Sequence, residues 1–125
     1  MPGPRLQSTA DLLLKAAFLC GLALLTWLSL ASGTHTPVSG VSDKVKHATA
    51  YTILAITGMF AFRGHPRAIA GFLFTWGILM EIGQSFVPLR SSEFEDTLAN
   101  LIGIFLAWGI YSLTTARKRT TSLAR

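Results

Sequence analysis

Four long apolar stretches constrain this chain more than any other feature, and they span residues 12–31, 43–62, 68–87 and 96–113. Each has close to the ~20 residues that an α-helix needs to cross the hydrocarbon core of a bilayer. Half of all residues are hydrophobic and only 14% are charged. A soluble helical bundle of this size would need more polar surface than that. The sequence therefore predicts an all-α, polytopic membrane bundle of four transmembrane helices.

The positions of Lys and Arg in the connections predict the orientation of this bundle. If the N-terminus lies in the cytoplasm, eight of the eleven Lys and Arg residues fall on the inner side, while Lys44, Lys46 and Arg90 fall on the outer side. Cytoplasmic loops of membrane proteins carry an excess of these residues. We therefore predict that both termini are cytoplasmic, in a multi-pass membrane protein.

The chain divides into three parts in this interpretation. Residues 1–11 form a cytoplasmic N-terminal segment, residues 12–113 form the membrane domain, and residues 114–125 form a basic, disordered cytoplasmic tail. The first apolar stretch has an alternative interpretation as a cleaved signal peptide, because Arg5 precedes it and small residues follow it. Its length, about 20 residues, favours a permanent span.

The basic character of the chain points to membrane lipids as partners. The formal net charge is +5, which raises the question of nucleic-acid binding. The basic residues are dispersed through turns and a tail, however, with no aromatic and basic face that could hold a strand. Attraction of the cluster at 117–119 to anionic lipid explains the charge better, so we expect no nucleic-acid partner.

Helical spacing places the polar residues of the second and third spans on one side of the membrane. Asp43, His47 and Tyr51 are four residues apart, so they form one stripe that descends from the outer surface. Glu81 and Gln84 are three apart near the outer end of the third span, with Glu81 roughly 10 Å below Pro88 at ~1.5 Å per residue. An ionisable group within a span is a functional-site candidate, because its burial is costly without a partner.

The fourth span adds a third polar stripe. Asp96 and Asn100 share a face with the small residues Ala99, Gly103 and Ala107, which would let a neighbouring helix come close. Three helices can therefore converge on one outward-facing pocket, in which we predict that His47 and Glu81 form a coupled pair. Simpler roles stay open: Asp43 and Asp96 as N-caps, Gln84 and Asn100 as interhelical hydrogen bonds.

Three sequence blocks follow one another along the chain: Asp43-Lys44-x-x-His47-x-x-x-Tyr51-x-x-Leu54, Glu81-x-x-Gln84-x-Phe86 and Arg90-x-x-Glu93-x-x-Asp96-x-x-x-Asn100-x-x-Gly103. Together they resemble the VanZ-like family of small bacterial integral membrane proteins of the cytoplasmic membrane. The resemblance covers residues 43–113, and one departure is Glu93, where members often carry Asp. It implies an integral membrane protein with a cell-envelope role, and the family's named member is linked to resistance to the glycopeptide antibiotic teicoplanin. It implies no particular reaction.

The candidate site residues form two groups by their chemistry. Groups that suit acid/base work or hard-cation ligation are Asp43, His47, Glu81 and Asp96. Groups that suit binding are Lys44, Tyr51, Gln84, Arg90, Glu93 and Asn100, and of these Lys44 and Arg90 could hold a phosphate. The sequence names no metal, although a divalent cation suits these donors. Within the first group, we expect His47 and Glu81 to act as a pair, with Asp43 orienting the imidazole of His47.

Three functions remain open at the level of sequence. The first is a non-catalytic envelope role related to lipid or to glycopeptide response, in which the polar groups bind or lock helices together. The second is a membrane-embedded enzyme that modifies a lipid-linked envelope precursor at the outer leaflet. The third is a small transporter, for which the inner halves of the spans offer few polar groups beyond Thr57 and Thr75. Whether the chain is an enzyme is therefore undecided by its sequence.

Overall fold

The computed structural model describes residues 8–31, 41–90 and 92–124, and these fold into four α-helices. The helices are α1 (Thr9–Leu30), α2 (Asp43–Ala61), α3 (Pro66–Gln84) and α4 (Phe94–Leu123). No strand occurs within the described residues. The all-α prediction is confirmed, and each helix overlaps one of the four apolar stretches.

Helix α2 lies at the centre of the bundle. It contacts each of the other three helices, and its most extensive interface is with α4, whereas the described parts of α1 and α4 do not pack against each other. The completely buried side chains accordingly include Tyr51, Ala55 and Met59 of α2, together with Leu73 of α3 and Ala107 of α4. Because α2 touches every neighbour, its residues set the register of the whole bundle.

Small residues allow α2 and α4 to approach closely. A Cβ at Gly103 would collide with the carbonyl oxygen of Ala48 and would lie 3.0 Å from the backbone nitrogen of Thr52. In the absence of that Cβ, the hydroxyl of Thr52 donates to the Gly103 carbonyl at 3.1 Å. Ala99 and Ala107, one turn to either side, are buried in the same interface. The predicted role of the small-residue stripe on α4 is seen directly in this packing.

The outer surface of the bundle is strongly apolar. Helices α1 and α4 are long and apolar enough to cross a membrane, yet only 11% and 28% of their apolar windows are buried within the structure. A core helix of a soluble protein would be mostly buried. Large side chains that face outward include Leu13, Leu24, Trp27, Ile53, Phe72, Leu79, Ile102, Phe105 and Leu113. Such a surface suits lipid, which supports membrane-protein character.

Three helices begin earlier than predicted, α1 at Thr9, α3 at Pro66 and α4 at Phe94, whereas α2 begins at the predicted residue, Asp43. Helix α1 begins at Thr9 because the Ser8 hydroxyl accepts from the Asp11 backbone nitrogen at 3.2 Å. Ser42 caps α2 in the same way, so Asp43 is the first helical residue and not the N-cap. Helix α4 begins at Phe94, which places Asp96 inside its first turn. The alternative role of Asp43 and Asp96 as N-caps is therefore wrong.

The helix ends also differ from the prediction. Helix α3 stops at Gln84, and the chain then leaves through two turns closed by hydrogen bonds from Phe86 to Gly83 and from Val87 to Gln84. Helix α4 continues to Leu123, so the predicted disordered tail is wrong over 114–123. No Gly or Pro interrupts this segment, and its Ala, Arg and Lys residues favour helix.

The interface at Gly103 can be tested with a matched pair of glycines on α4. We expect Gly103→Ala to lower stability by about 1–3 kcal/mol, the usual cost of overpacking. Gly109 has no neighbouring atom within 4 Å of an added Cβ. Gly109→Ala should therefore be neutral or stabilising by up to about 1 kcal/mol, through helix propensity. Thermal unfolding of both variants in detergent measures the difference, and equal effects would contradict the close approach.

Candidate functional site

The imidazole of His47 lies between α2 and α4, where two α4 side chains contact its two nitrogens. Nδ1 is 2.9 Å from Oδ1 of Asn100, and Nε2 is 3.7 Å from Oδ2 of Asp96. When the Asn100 carbonyl accepts from Nδ1, the second nitrogen, Nε2, faces Asp96. The polar stripes of α2 and α4 therefore meet across the interface between these two helices.

Glu81 reaches the same place from α3. It is only 6% exposed, and its Oε2 accepts a hydrogen bond of 3.4 Å from the Ser92 hydroxyl, while its Oε1 is buried without a protein partner. Because α3 ends at Gln84, Glu81 lies about one turn from the helix end, not the ~10 Å below Pro88 that a longer helix implied. The Glu81 carboxylate is therefore buried among the neighbouring helices, close to the end of the bundle.

His47, Glu81 and Asp96 together form the centre of the site. One ligand atom from each residue lies within 4.8 Å of the other two, and each comes from a different helix. The predicted proximity of His47 and Glu81 is therefore present in the structure. An imidazole nitrogen beside two carboxylates can exchange a proton or bind a cation.

Four buried polar atoms in this region have no hydrogen-bond partner within the described protein: Tyr51 Oη, Glu81 Oε1, Asp96 Oδ1 and Asn100 Nδ2. Gly77 lies beside two of them, since a Cβ there would be 3.1 Å from Asn100 Nδ2 and 3.3 Å from Tyr51 Oη. Burying an unpaired polar group costs about 1–3 kcal/mol. A concentration of such groups in one place indicates a site that has a further partner.

The charged residues at the N-terminal end of α2 pair with each other and with α4. Lys44 Nζ lies 2.7 Å from Glu95 Oε2 and 3.4 Å from Glu93 Oε2, and Lys46 Nζ lies 3.0 Å from Asp43 Oδ1. Asp43 is thus committed to Lys46, and the prediction that it orients the His47 imidazole is wrong. Asn100 takes that role. These exposed pairs each contribute little to stability.

Arg90 fastens the loop after α3 to the end of α1. Its Nε and Nη2 donate to the carbonyls of Ala31 and Leu28 at 3.2 and 2.8 Å, which satisfies two of the carbonyls left free at a helix C-terminus. A turn with Pro88 at its second position and Leu89 at its third, where φ is 64°, directs Arg90 toward α1. In this structure, Arg90 therefore stabilises the packing of the loop against α1.

Gln84 makes a second connection to α1. Its side chain is 2% exposed, and its Nε2 donates to the Ser29 carbonyl at 3.1 Å. This is the interhelical hydrogen bond that was one of the two roles expected for Gln84. Gln84 and Arg90 together hold the C-terminal end of α1 against the α3 end of the site.

Sequence reasoning missed two residues of the site, Ser92 and Gly77. Ser92 donates to Glu81 from a loop position that no periodicity marks. Gly77 carries a usable signal, because it lies four residues before Glu81 and hence on the same helical face. A glycine in that position leaves the space that Asn100 and Tyr51 occupy.

A separate apolar groove lies between α1 and α3. Its volume is about 630 Å³, and its lining residues are Leu22, Ala23, Thr26, Trp27, Leu30, Ala31 and Trp76. Trp76 donates to the Thr26 hydroxyl at 3.1 Å within it. The groove contains none of the candidate polar residues, but Ala31 at its end is also bonded to Arg90.

Comparison with known proteins gives one match. The family model described as VanZ/LLP1 matches residues 14–115, which includes all three sequence blocks and all four helices in large part. Neither a curated protein nor a solved structure gives a significant match to the chain.

The pairing of His47 with Glu81 predicts non-additive effects of substitution. If they act as one unit, His47→Ala combined with Glu81→Gln should cost no more stability than the worse single change. As a control, His47→Ala combined with Glu95→Gln should be additive, because Glu95 is exposed and pairs with Lys44. Thermal unfolding of the five variants and the parent in detergent gives both coupling energies. Strict additivity of the first pair would show that the two residues act independently.

Proposed function

Because the chain belongs to the VanZ/LLP1 family, we propose that it is a four-span protein of the bacterial cytoplasmic membrane whose polar site binds a lipid-linked component of the cell envelope at the outer leaflet. The observation that carries the proposal is the set of unpaired, buried polar atoms around His47, Glu81 and Asp96. Glu81, Asp96 and Asn100 lie within two turns of one end of the bundle, and Tyr51 lies slightly deeper, on the ninth residue of α2. A ligand at this end would lie at the level of lipid headgroups.

The lengths and surfaces of α2 and α3 support four spans. Each has 19 residues, or roughly 28 Å at ~1.5 Å per residue, against a hydrocarbon core of ~30 Å. Their charged residues lie near the helix ends, and Tyr51, Glu81 and Gln84 are buried against neighbouring helices. Ile53 of α2 and Phe72, Leu79 and Ile82 of α3 face outward. This is the pattern of a helix whose outer side meets lipid.

The distribution of basic residues supports the orientation. The end of the bundle that carries the site contains the N-termini of α2 and α4, and its three basic residues are already paired with carboxylates or carbonyls. The opposite end carries Arg63, Arg67 and the basic cluster on the last turns of α4. The end of the bundle with the larger positive charge, opposite the polar site, would therefore face the cytoplasm.

A purely structural polar lock explains the site less well than a binding site does. Polar networks that hold helices together are stabilising when every member is satisfied, and a half-satisfied network is worse than an apolar core. Gln84 fits the lock description, because its amide reaches α1. The four unpaired atoms around Glu81 and Asp96 do not fit it.

The apolar groove between α1 and α3 supports a lipid-linked ligand. It is an open groove of about 630 Å³ along α1, closed on one side by Trp76 of α3, in which a hydrocarbon chain could lie. Its lining is almost wholly hydrocarbon and aromatic, and Ala31 lies at the same end of the bundle as the polar site. An acyl or prenyl chain in this groove would bring its headgroup to that end.

An enzyme acting on the same substrate class is the second candidate. The specific observation in its favour is Nε2 of His47, which presents its lone pair beside two carboxylates and could serve as a general base. A transporter fits less well. Thr57 and Thr75, deeper in the spans, donate to the carbonyls of Ile53 and Gly71 on their own helices and offer no continuation of the polar path.

Topology can be tested by labelling single cysteines in a Cys20→Ala background, since Cys20 is exposed on α1. Cysteine at Ser39 or Leu89 should react with a membrane-impermeant thiol reagent added to intact cells, because both connections are proposed to face outward. Cysteine at His65 or Ser122 should react only after the cells are opened. The reverse pattern would place the polar site on the cytoplasmic side.

Ligand binding can be tested with site variants of unchanged size. The protein should co-purify with lipid-linked envelope material, detectable by native mass spectrometry, and its expression should raise teicoplanin tolerance in a susceptible bacterium. Asp96→Asn should lose both effects at an equal level of folded protein. The matched control Glu95→Gln lies on the same helix end but is exposed, and it should keep both. Equal behaviour of the two variants would contradict a role for the site.

A further inference from the structure

We propose that His47, Glu81 and Asp96 form a binding site for a single divalent cation, with Zn²⁺ or Mn²⁺ as the best-suited ions. The proposal rests on the proposed function in one respect, that the cluster is a ligand site and not a polar lock. It names the ligand that the protein side chains contact directly. Three features of the cluster favour a bound cation: the donor geometry, the partner of the imidazole and the local charge.

The donor geometry suits one ion shared by three helices. One imidazole nitrogen of His47 and one oxygen each of Glu81 and Asp96 lie within 4.8 Å of one another, and Nε2 is 3.7 Å from Asp96 Oδ2. Small side-chain rotations bring such atoms to the ~2.0–2.2 Å distances of Zn–N and Zn–O bonds. Both carboxylates are 94% buried, and each has an oxygen without a protein hydrogen-bond partner in the described structure. These oxygens are free to bind a cation without breaking an existing bond.

Asn100 holds the imidazole in the form that binds metal. Its Oδ1 lies 2.9 Å from Nδ1 of His47, so Nδ1–H can donate to this oxygen, which leaves Nε2 to bind a metal. Histidines that bind metals usually donate their other ring N–H to a carbonyl or carboxylate in this way. Asn100 is 1% exposed, and the tight α2–α4 interface holds it in place.

The local charge also calls for a cation. Among the described residues, no Lys or Arg nitrogen lies within 4.0 Å of a carboxylate oxygen of Glu81 or Asp96. The nearby lysines pair elsewhere, Lys44 with Glu93 and Glu95 and Lys46 with Asp43. Two buried carboxylates this close repel each other strongly in a low-dielectric interior. A divalent cation would neutralise both carboxylates. A protonated imidazole carries only one positive charge and would neutralise only one of them.

The ligand set indicates which ions fit and what they would do. One imidazole and two carboxylates suit Zn²⁺ and Mn²⁺, whereas Mg²⁺ and Ca²⁺ prefer oxygen ligands alone. Three protein ligands leave at least one position of the ion open. A phosphate oxygen of a lipid headgroup could fill it, which would let an otherwise anionic site accept an anionic ligand.

The experiment measures binding of Zn²⁺ or Mn²⁺ to purified protein in nanodiscs after chelation and dialysis. Elemental analysis should find about one ion per chain, and titration calorimetry should show saturable binding. Glu81→Gln and Asp96→Asn should each weaken affinity at least ~10-fold, and Asn100→Ala should weaken it ~10–100-fold through loss of the imidazole partner. Glu95→Gln, an exposed carboxylate at the same end, should bind as the parent does.

The outcomes separate this inference from the proposed function. A parent protein that binds neither ion, or site variants that bind as well as Glu95→Gln does, would overturn the cation site. If Glu81→Gln does not fold, Asp96→Asn and the rise in parent melting temperature on adding the ion decide the question. Lipid co-purification that persists without any bound ion would overturn the cation site and leave the proposed function intact. Ion binding without lipid binding would overturn the proposed function and leave the cation site intact.

Discussion

The close approach of α2 and α4 at Gly103 is the contact on which the rest of the structure depends. Without a Cβ at that position, the backbone of α4 reaches that of α2 near Ala48 and Thr52, and Thr52 bridges the two helices. One turn toward the polar end, Asn100 then meets His47 across the interface. The same register brings Asp96 toward Nε2 of the imidazole. A wider separation of these helices would leave the polar residues too far apart to share a ligand.

The second constraint is the cost of placing ionisable groups inside an apolar bundle. That cost is lowest near the ends of helices, where water and headgroups are within reach. The N-terminal turns of α2 and α4 and the C-terminal turn of α3 meet at one level, and the cluster lies within two turns of it. Gln84 and Arg90 hold α1 against this end through carbonyls of α1. These contacts fix α1 against the site, while Glu81 Oε1 and Asp96 Oδ1 stay without a hydrogen-bond partner in the described protein.

Much of this arrangement could be predicted from periodicity, because four-residue and three-residue spacings fix which side chains share a helical face. Such spacings, with the order of the spans, placed His47, Glu81 and Asp96 at the same end of the bundle. The partner of the imidazole did not, because Asp43 is equally well spaced on α2 and only the three-dimensional positions of Lys46 and Asn100 decide between them. The helical tail was predictable in principle, since residues 110–123 contain no Gly or Pro. The polarity of this segment favours disorder, but its helix propensity is sufficient for α4 to continue through it.

The two carboxylates of the site differ in what the backbone does for them. Asp96 lies in the first turn of α4, where free N–H groups and the helix dipole favour a negative charge. Glu81 lies in the last turn of α3, where the free carbonyls disfavour one. Ser92 offers Glu81 only a single long hydrogen bond of 3.4 Å. Of the two, Glu81 therefore depends more on a proton or a cation for its burial, and the carbonyl end of α3 adds to the attraction of the site for positive charge.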